Sequence, residues 1–409
     1  MTTLAVDFGT SNSAAAVLAG GKPSRIALEP GADTLPTAVF FPADGGLLIG
    51  RAAAQALIDG EDGRYMRALK SVLGTSLFDE SRPLGGKRRT LAEVVTAFLV
   101  EVKARAEAET GQRFTRVRSG RPVHFHSDDP ERDARAEDDL RACYLAAGFE
   151  AVDFIFEPEA AALAGAGLNP AGGTGLVVDI GGGTSDFSVF RQQGGTVEIV
   201  ASHGIRLGGT DFDQALSLAE AMPLLGLGGA LRRTFGEGHL PVPRAIYADL
   251  ATWAKIPFLY TRETERAVED LVRHAVEPEK LARLARVIEH HLGHEVAFAV
   301  EAGKIAANSD KRARIDLAIV EPGLAHPITP GTLNAALAPY RDRLQAAIYA
   351  VLMRAGVAPG DIGTIVLVGG SSLMAMIPEI AGTLCPRAQI AQAEAFTAVV
   401  DGLALSTKG

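Results

Sequence analysis

The sequence predicts an α/β protein built from two related halves. Three short apolar runs, at residues 4–13, 175–186 and 364–372, each end in a glycine-rich turn. Short apolar runs that stop at turn residues are typical of buried strands. In the first two runs an aspartate, an apolar residue and a glycine follow one another, and a threonine completes the turn. This shared pattern indicates an internal duplication.

The segments that follow these turns extend the duplication. Two more strands are predicted after each turn, at residues 14–18 and 24–28 in the first half and at 187–190 and 196–201 in the second. Apolar spacing predicts helices at residues 91–106, 132–147, 261–300 and 331–352, with Pro278 breaking the third. The Gly172-Gly173 turn is the predicted boundary between the halves.

The composition is that of an ordinary globular protein, and it narrows the range of partners. The 409 residues are 47% hydrophobic and 22% charged, which excludes a disordered or collagen-like chain. The formal net charge of −9 argues against nucleic acid or an anionic membrane as the main partner. There is no apolar run of about 20 residues, no secretory signal, and only two distant cysteines. We therefore expect a cytoplasmic protein without a membrane or nucleic-acid partner.

The glycine turns suggest phosphate binding. Glycine lets the backbone approach a ligand closely, and successive amide N–H groups can form a concave nest for phosphate oxygens. Threonine hydroxyls add donors, and aspartate carboxylates can hold hydrated Mg²⁺. Two such turns that face each other would hold a polyphosphate from both sides.

Other interpretations of these residues are weaker. Each turn could be only a hairpin, but two copies in equivalent contexts favour a binding role. There is no Gly-x-x-x-x-Gly-Lys-Ser/Thr loop, which argues against a P-loop NTPase, and no Gly-x-Gly-x-x-Gly after the first strand, which argues against a dinucleotide enzyme. We interpret His124 and His126 as one face of an edge strand that runs into a capped helix, with metal binding as the alternative.

Seven motifs, in order along the chain, resemble the nucleotide-binding domain of the 70-kDa heat-shock (DnaK-like) chaperones, in particular the short bacterial branch of YegD type. They lie at residues 6–13, 69–74, 156–164, 178–186, 207–213, 301–304 and 368–372. The resemblance implies a two-lobed actin-like ATPase fold, with duplicated ribonuclease-H-like domains, four subdomains and a nucleotide cleft between the lobes. It implies a first lobe at 1–172 with 383–409 returning to it, and a second lobe at 173–382. The upper subdomains would be 40–114 and an enlarged 216–300, and no peptide-binding domain is expected.

The resemblance also implies a set of site residues. Phosphate and nucleotide contacts are expected from Gly9, Thr10, Ser11, Gly181, Gly182, Gly183, Gly208, Gly209, Gly369, Gly370 and Ser371, and ribose and base contacts from Glu301, Lys304, Ile305 and Leu373. Asp7 and Asp179 would bind Mg²⁺ through water, with K⁺ beside them. Lys70 would stabilise charge on the γ-phosphate, and Glu157 and Asp179, with Asp186 and Thr184, would orient the attacking water.

The expected activity is slow, Mg²⁺-dependent ATP hydrolysis that opens and closes the lobes, in a chaperone-like or regulatory protein that acts through another protein. Ile305 and Leu373 stand where the family stacks adenine between arginine stems, so adenine selectivity is open. The alternatives are a nucleotide-binding scaffold without hydrolysis, a small-molecule kinase of the same superfold, and a filament-forming actin relative. From the residues alone, Lys70 could be a surface lysine, Glu157 a helix N-terminal carboxylate, and Glu301 and Lys304 a surface ion pair.

Overall fold

The computed structural model describes residues 3–165, 173–193, 196–234, 236–309, 312–392 and 397–408. The predicted boundary at Gly172-Gly173 lies partly outside these residues. The strands are β1 (Thr3–Phe8), β2 (Asn12–Ala19), β3 (Lys22–Ile26), β4 (Leu35–Pro36), β5 (Ala38–Pro42), β6 (Leu48–Ile49), β7 (Gly63–Arg67), β8 (Arg82–Leu84), β9 (Lys87–Arg89), β10 (Arg116–Arg121), β11 (Ala151–Phe156), β12 (Gly173–Ile180), β13 (Ser185–Gln193), β14 (Thr196–Ile205), β15 (Ala230–Arg232), β16 (His239–Pro241), β17 (Arg314–Asp316), β18 (Ala325–Pro327), β19 (Thr364–Val368) and β20 (Gln389–Gln392).

The α-helices account for most of the rest of the described chain. They are α1 (Arg51–Ile58), α2 (Leu91–Thr110), α3 (Pro130–Ala146), α4 (Glu157–Gly165), α5 (Gly209–Leu216), α6 (Ala245–Leu250), α7 (Arg262–His274), α8 (Pro278–Glu289), α9 (Gly293–Ser309), α10 (Pro330–Ala355), α11 (Met376–Leu384) and α12 (Ala398–Leu405). The predicted helix at 261–300 is thus three helices, because the chain breaks before Pro278 and again before Gly293.

Two sheets repeat one strand order. The first sheet runs β11-β10-β1-β2-β3, with β4 added beside β2, and the second runs β14-β13-β12-β19-β20. In the first, β1 is antiparallel to β2 and parallel to β10; in the second, β12 is antiparallel to β13 and parallel to β19. The central strand of each sheet therefore leads directly into one of the two Asp-x-Gly turns. The duplication predicted from the sequence is confirmed in the strand order.

Contacts divide the chain into two compact units. The first comprises Met1–Gly209 and Arg341–Gly409 and contains both sheets; the second is Thr210–Tyr340. These units do not coincide with the predicted lobes at 1–172 with 383–409 and at 173–382. That division into lobes stays a prediction.

Two apolar helices, α4 and α12, share the core of the first unit with both sheets. Ala160, Ala161 and Ala162 of α4 are fully buried against small residues of β1, β2 and β12. The helices touch backbone to backbone, because a Cβ added at Gly402 of α12 would collide with the carbonyl oxygen of Ala160. Small side chains on α4 thus allow one helix to pack beneath two sheets.

The second unit has its own core. Trp253 is buried, and its indole N–H donates to Asp213 at 3.0 Å. The ring of Phe298 packs edge-on against Trp253 at 5.1 Å between centroids. The indole packs in the interior because its polar atom finds a buried acceptor.

Candidate functional site

The two Asp-x-Gly turns meet in the first unit. A Cβ added at Gly182 would lie 2.5 Å from the hydroxyl of Ser11 and 3.1 Å from Cβ of Thr10. At Gly183 it would lie 3.0 Å from the hydroxyl of Thr10. Any side chain on these glycines would therefore fill the space between the turns. The structure brings together the two turns as the sequence predicted.

Two further glycine segments lie on the second turn. A Cβ at Gly208 would come within 2.6 Å of the backbone at Gly182 and Gly183, and Gly209 donates its N–H to the carbonyl of Gly181 at 3.0 Å. Gly209 also lies against the side chain of Ser371. The segments at 208–209 and 369–371 thus close around the turn that follows β12.

The turn after β19 depends on a backbone that favours glycine. Gly369 has a φ of 81°, in the left-handed region, and a Cβ there would lie 2.6 Å from a carboxylate oxygen of Asp179. A larger residue at 369 would be strained and would also collide with Asp179. This glycine therefore places the 369–371 turn directly beside the predicted metal-binding carboxylate.

An ion pair lies beneath the turns. The ammonium of Lys70 donates to Glu157 at 2.5 Å, and their side chains are 5% and 10% exposed. This excludes the surface-lysine interpretation of Lys70. Asp179 and Asp186 are also buried, and Asp7 is half-buried. The first unit thus gathers four carboxylates and one ammonium.

The four carboxylates together carry more negative charge than the single ammonium of Lys70 can neutralise. Burial and the charge of Glu157 raise the pKa of Asp7 to about 7 and that of Asp186 to about 8. The same two causes, with Asp186 added, raise the pKa of Asp179 well above its ordinary value. Burial alone would lower the pKa of Lys70, but the charges of Glu157 and Asp7 raise it instead. A cation would relieve this repulsion, so the donor set fits a hard, oxygen-binding metal ion.

The carboxylates are not arranged as a direct metal cage. Among the described residues, no three histidine, cysteine, aspartate or glutamate side chains converge on a point that could hold a metal ion. The water-mediated binding of Mg²⁺ by Asp7 and Asp179 stays a prediction.

A cavity of about 20 Å³ adjoins the ion pair, which is room for one water molecule. Thr10, Lys70, Gly183 and Thr184 line it, together with Ser71, Phe125, His126 and Arg206. Four of these residues are predicted site residues. Of the residues predicted to orient the attacking water, Thr184 lines this cavity, and Glu157 reaches it only through its ion pair with Lys70.

The predicted ribose residues lie in the second unit. Lys304, on α9, is buried and pairs with Asp213 at 2.6 Å. Glu301 lies one helical turn before it, and Ile305 is 62% exposed. In the first unit, Leu373 is 44% exposed. Both apolar residues that stand at predicted base positions thus present accessible side chains, each in its own unit.

Several residues around Lys70 were not predicted from the sequence. Arg206 donates to the carbonyl oxygen of Ser71 at 3.1 Å, and Phe125 places its ring 6.0 Å from the Lys70 ammonium. His124 and His126 do not form the predicted edge strand, because β10 ends at Arg121 and is an inner strand of its sheet. The one available signal was the Arg121-Pro122 pair, since proline commonly ends a central strand.

Comparison with known proteins finds relatives among the heat-shock chaperones. The model of the Hsp70 protein family matches residues 80–220. The chaperone protein DnaK of Cenarchaeum symbiosum is 27% identical over 414 residues, which cover 98% of this chain and 53% of that protein. The chaperone protein DnaK of Methanothermobacter thermautotrophicus is 35% identical over 219 residues, which cover 52% of this chain and 35% of that protein.

The family model and both relatives support the resemblance to the 70-kDa heat-shock protein family. The resemblance predicted from seven motifs is confirmed at this level, and the mixed sheets and helices agree with the actin-like ATPase fold of the family. Its assignment to the YegD-type branch stays a prediction. The chain spans about half the length of the first of these relatives and about a third of the second. No helix in its described residues is both long and apolar enough to cross a membrane.

Proposed function

We propose that the site in the first unit binds the phosphates of ATP or ADP together with Mg²⁺ and hydrolyses ATP slowly. One observation carries the proposal: the glycine turns after β1 and β12 lie against each other, and Thr10 and Gly183 of these turns line one cavity with Lys70, which is paired with Glu157. Glycine backbone supplies N–H donors, the lysine supplies positive charge, and the carboxylates supply acceptors for a hydrated cation and for water. Phosphoryl transfer to water needs mainly this positioning and charge.

The phosphate contacts come from the turns. Gly9, Thr10 and Ser11 would bind from one side, and the residues 181–183 from the other. The remaining phosphate contacts would come from Gly208, Gly209, Gly370 and Ser371. A side chain at 182 or 183 would enter the space beside Thr10 and Ser11, and one at 208 would displace the second turn.

The chemistry would fall to the buried pair and its neighbours. Mg²⁺, held through water by Asp7 and Asp179 with K⁺ nearby, would neutralise phosphate charge when bound. Lys70 would lie beside the γ-phosphate and stabilise charge in the transition state. Glu157 and Asp179 would orient the attacking water, with Thr184, which lines the cavity beside Lys70, as a further hydrogen-bonding group.

The base and ribose would be held by Glu301, Lys304, Ile305, Gly369 and Leu373. Nucleotide state would open and close the lobes, a hinge motion around the ligand that another protein would read. The chaperone names of the DnaK relatives support a chaperone-like or regulatory role.

A nucleotide-binding scaffold without hydrolysis is the second candidate. It is favoured by the apolar, exposed Ile305 and Leu373, which remove the cation–π contact that arginines would give a purine. The kinase alternative is weaker, because Asp186, its required catalytic base, is buried and accepts the N–H of Val123 at 2.7 Å.

The test is phosphate release by the purified protein with ATP and Mg²⁺, compared with Lys70→Ala and with Lys87→Ala, an exposed lysine of the same unit, as the control. The ATPase predicts turnover that only Lys70→Ala abolishes. If calorimetry shows tight ADP binding but no phosphate is released, the protein is a nucleotide-binding scaffold and not an ATPase. Turnover that depends on an added sugar would indicate a kinase, and ATP-dependent light scattering a filament.

A further inference from the structure

Asp133, in the first turn of α3, gathers bonds from one short segment. Its Oδ1 accepts the backbone N–H groups of Phe125 at 2.5 Å and of His126 at 3.2 Å, and its Oδ2 accepts from the guanidinium of Arg121 at 3.3 Å. One carboxylate thus fixes both the backbone and an anchoring side chain of residues 121–126. We call these residues the 121–126 segment.

The segment reaches the proposed reaction centre at two points. The N–H of Val123 donates to the carboxylate of Asp186 at 2.7 Å. The ring of Phe125 lies 6.0 Å from the ammonium of Lys70 and lines the cavity beside it. A shift of the segment would therefore move a donor away from Asp186 and a wall away from Lys70.

A third link holds the turn that carries Lys70. The Nε2 of His126 donates to the carbonyl oxygen of Leu73 at 2.8 Å, directly after the short helical turn Leu69–Val72. Burial lowers the pKa of His126, which keeps the ring neutral with its proton on the nitrogen that faces the carbonyl. The position of Lys70 thus depends on the backbone of His126, which Asp133 holds.

The outer end of the segment is also fixed. The guanidinium of Arg121 lies 5.3 Å from the ring centre of Phe125 and 5.2 Å from that of Phe156. Glu137, one turn further along α3, accepts a second bond from it. Without the Asp133 carboxylate, Arg121 would keep Glu137, but the N–H groups of Phe125 and His126 would lose their acceptor. Buried donors do not stay unpaired, so this backbone would rearrange to pair them.

We propose that Asp133 is a positioning residue for Lys70 and Asp186, acting through the 121–126 segment. The proposal rests on the proposed ATPase function, since it assigns the carboxylate a part in setting the turnover rate. Asp133 touches neither the phosphates nor the attacking water in this scheme. Removal of the Asp133 carboxylate should therefore lower kcat and leave the nucleotide-binding turns in place.

The experiment compares Asp133→Ala, Asp133→Asn and the wild-type protein in single-turnover ATP hydrolysis and in ADP binding. Asp138→Ala is the matched control, because Asp138 is an exposed aspartate on the same helix. Asp133→Ala is expected to lower the hydrolysis rate about 10- to 100-fold while ADP affinity changes less than about threefold, the pattern of a misplaced catalytic group. Asp133→Asn is expected to recover much of the rate, because its amide oxygen still accepts both N–H groups.

Two results would overturn the proposal: a wild-type rate in Asp133→Ala, or a loss of ADP affinity as large as the loss of rate. A general loss of folding would appear as a lower melting temperature in both Asp133 variants without recovery in Asp133→Asn, and would equally overturn it. If the wild-type protein does not hydrolyse ATP, the proposed function fails. The positioning role of Asp133 is then tested separately, by backbone amide hydrogen exchange. Faster exchange in Asp133→Ala at residues 70–73 as well as 125–126 supports it, and faster exchange at 125–126 alone overturns it.

Discussion

The ammonium of Lys70 and the carboxylate of Glu157 lie 2.5 Å apart in the interior of the first unit. Removing one partner of a buried ion pair leaves the other uncompensated, at a cost of about 3–5 kcal/mol. Lys70→Met should therefore lower the free energy of unfolding by about 3 kcal/mol at pH 8, measured by urea denaturation. The double variant Lys70→Met with Glu157→Gln should lose less than the sum of the single losses. Additive losses would show that the two groups do not interact.

The raised pKa values of Asp7 and Asp186 make the nucleotide-free protein pH-sensitive. A carboxyl whose pKa is higher in the folded state binds its proton more tightly there. Its contribution is complete below the unfolded-state pKa and is lost as the pH rises through about 7 for Asp7 and about 8 for Asp186. Between pH 5 and pH 9 we expect stability to fall by about 3 kcal/mol through Asp7 and by about 4 kcal/mol through Asp186.

Asp186→Asn should flatten this pH dependence, because the amide keeps the acceptor for Val123 and cannot ionise. The measurement is the urea midpoint at pH 5, 7 and 9, with the exposed Asp138→Asn as control. A slope in Asp186→Asn equal to that of the wild-type protein would contradict the assignment.

Nucleotide binding with Mg²⁺ should release protons near neutral pH. A divalent cation favours the ionised form of Asp7 and its neighbours, which are partly protonated in its absence. Calorimetry of ADP binding at pH 7 in buffers of different ionisation enthalpy should show about one proton released with Mg²⁺ and fewer without it. Asp7→Asn should reduce the release, and proton uptake in the wild-type protein would be the opposite of what this charge balance requires.

Gly208 is the sharpest steric test of the phosphate site. A Cβ at this position would lie 2.6 Å from backbone atoms of Gly182 and Gly183, which cannot rotate away as a side chain would. Gly208→Ala should weaken ADP binding about tenfold or more by displacing the second turn. Gly360→Ala is the control, since nothing lies within 4 Å of its added Cβ. If both variants bind ADP with equal affinity, Gly208 is not part of the binding site.

Leu373 offers a gain-of-function test of the base position. Leu373→Arg would restore the charged stem that the family resemblance implies there. A cation–π contact at an exposed site is worth about 0.5–1 kcal/mol, so ADP affinity should rise about two- to fivefold. Ile58→Arg, a change at an exposed apolar residue of the same unit, controls for the added charge. A similar gain in ADP affinity in both variants would show that the added charge acts by long-range attraction and not by contact with the base.

The glycine turns could be predicted from sequence because each is encoded locally, by an apolar strand and the residues that immediately follow it. The same is true of the repeated strand order, since the pattern around Asp7 recurs around Asp179. The burial of Lys70 depended on the resemblance, because its own neighbours carry little pattern.

The network around Asp133 could not be predicted in this way. A carboxylate that accepts backbone N–H groups eight residues away leaves no periodic or compositional signal, and Asp133 lies among other acidic residues of α3. The place of His126 could not be predicted for a related reason: its hydrogen-bond partner is the carbonyl of Leu73, which only the folded chain brings near it.

The packing of α12 has a consequence for the order in which the chain folds. Residues 398–405 cover strands formed by residues 3–26, and Arg25 is tied to Asp401 by two hydrogen bonds. The ribosome makes the first sheet long before it makes the helix that covers it, so small apolar side chains such as Ala14 and Ala16 stay open to solvent throughout synthesis. A chain stopped at residue 390 should be cut by proteases across its first 30 residues, whereas the full chain should resist.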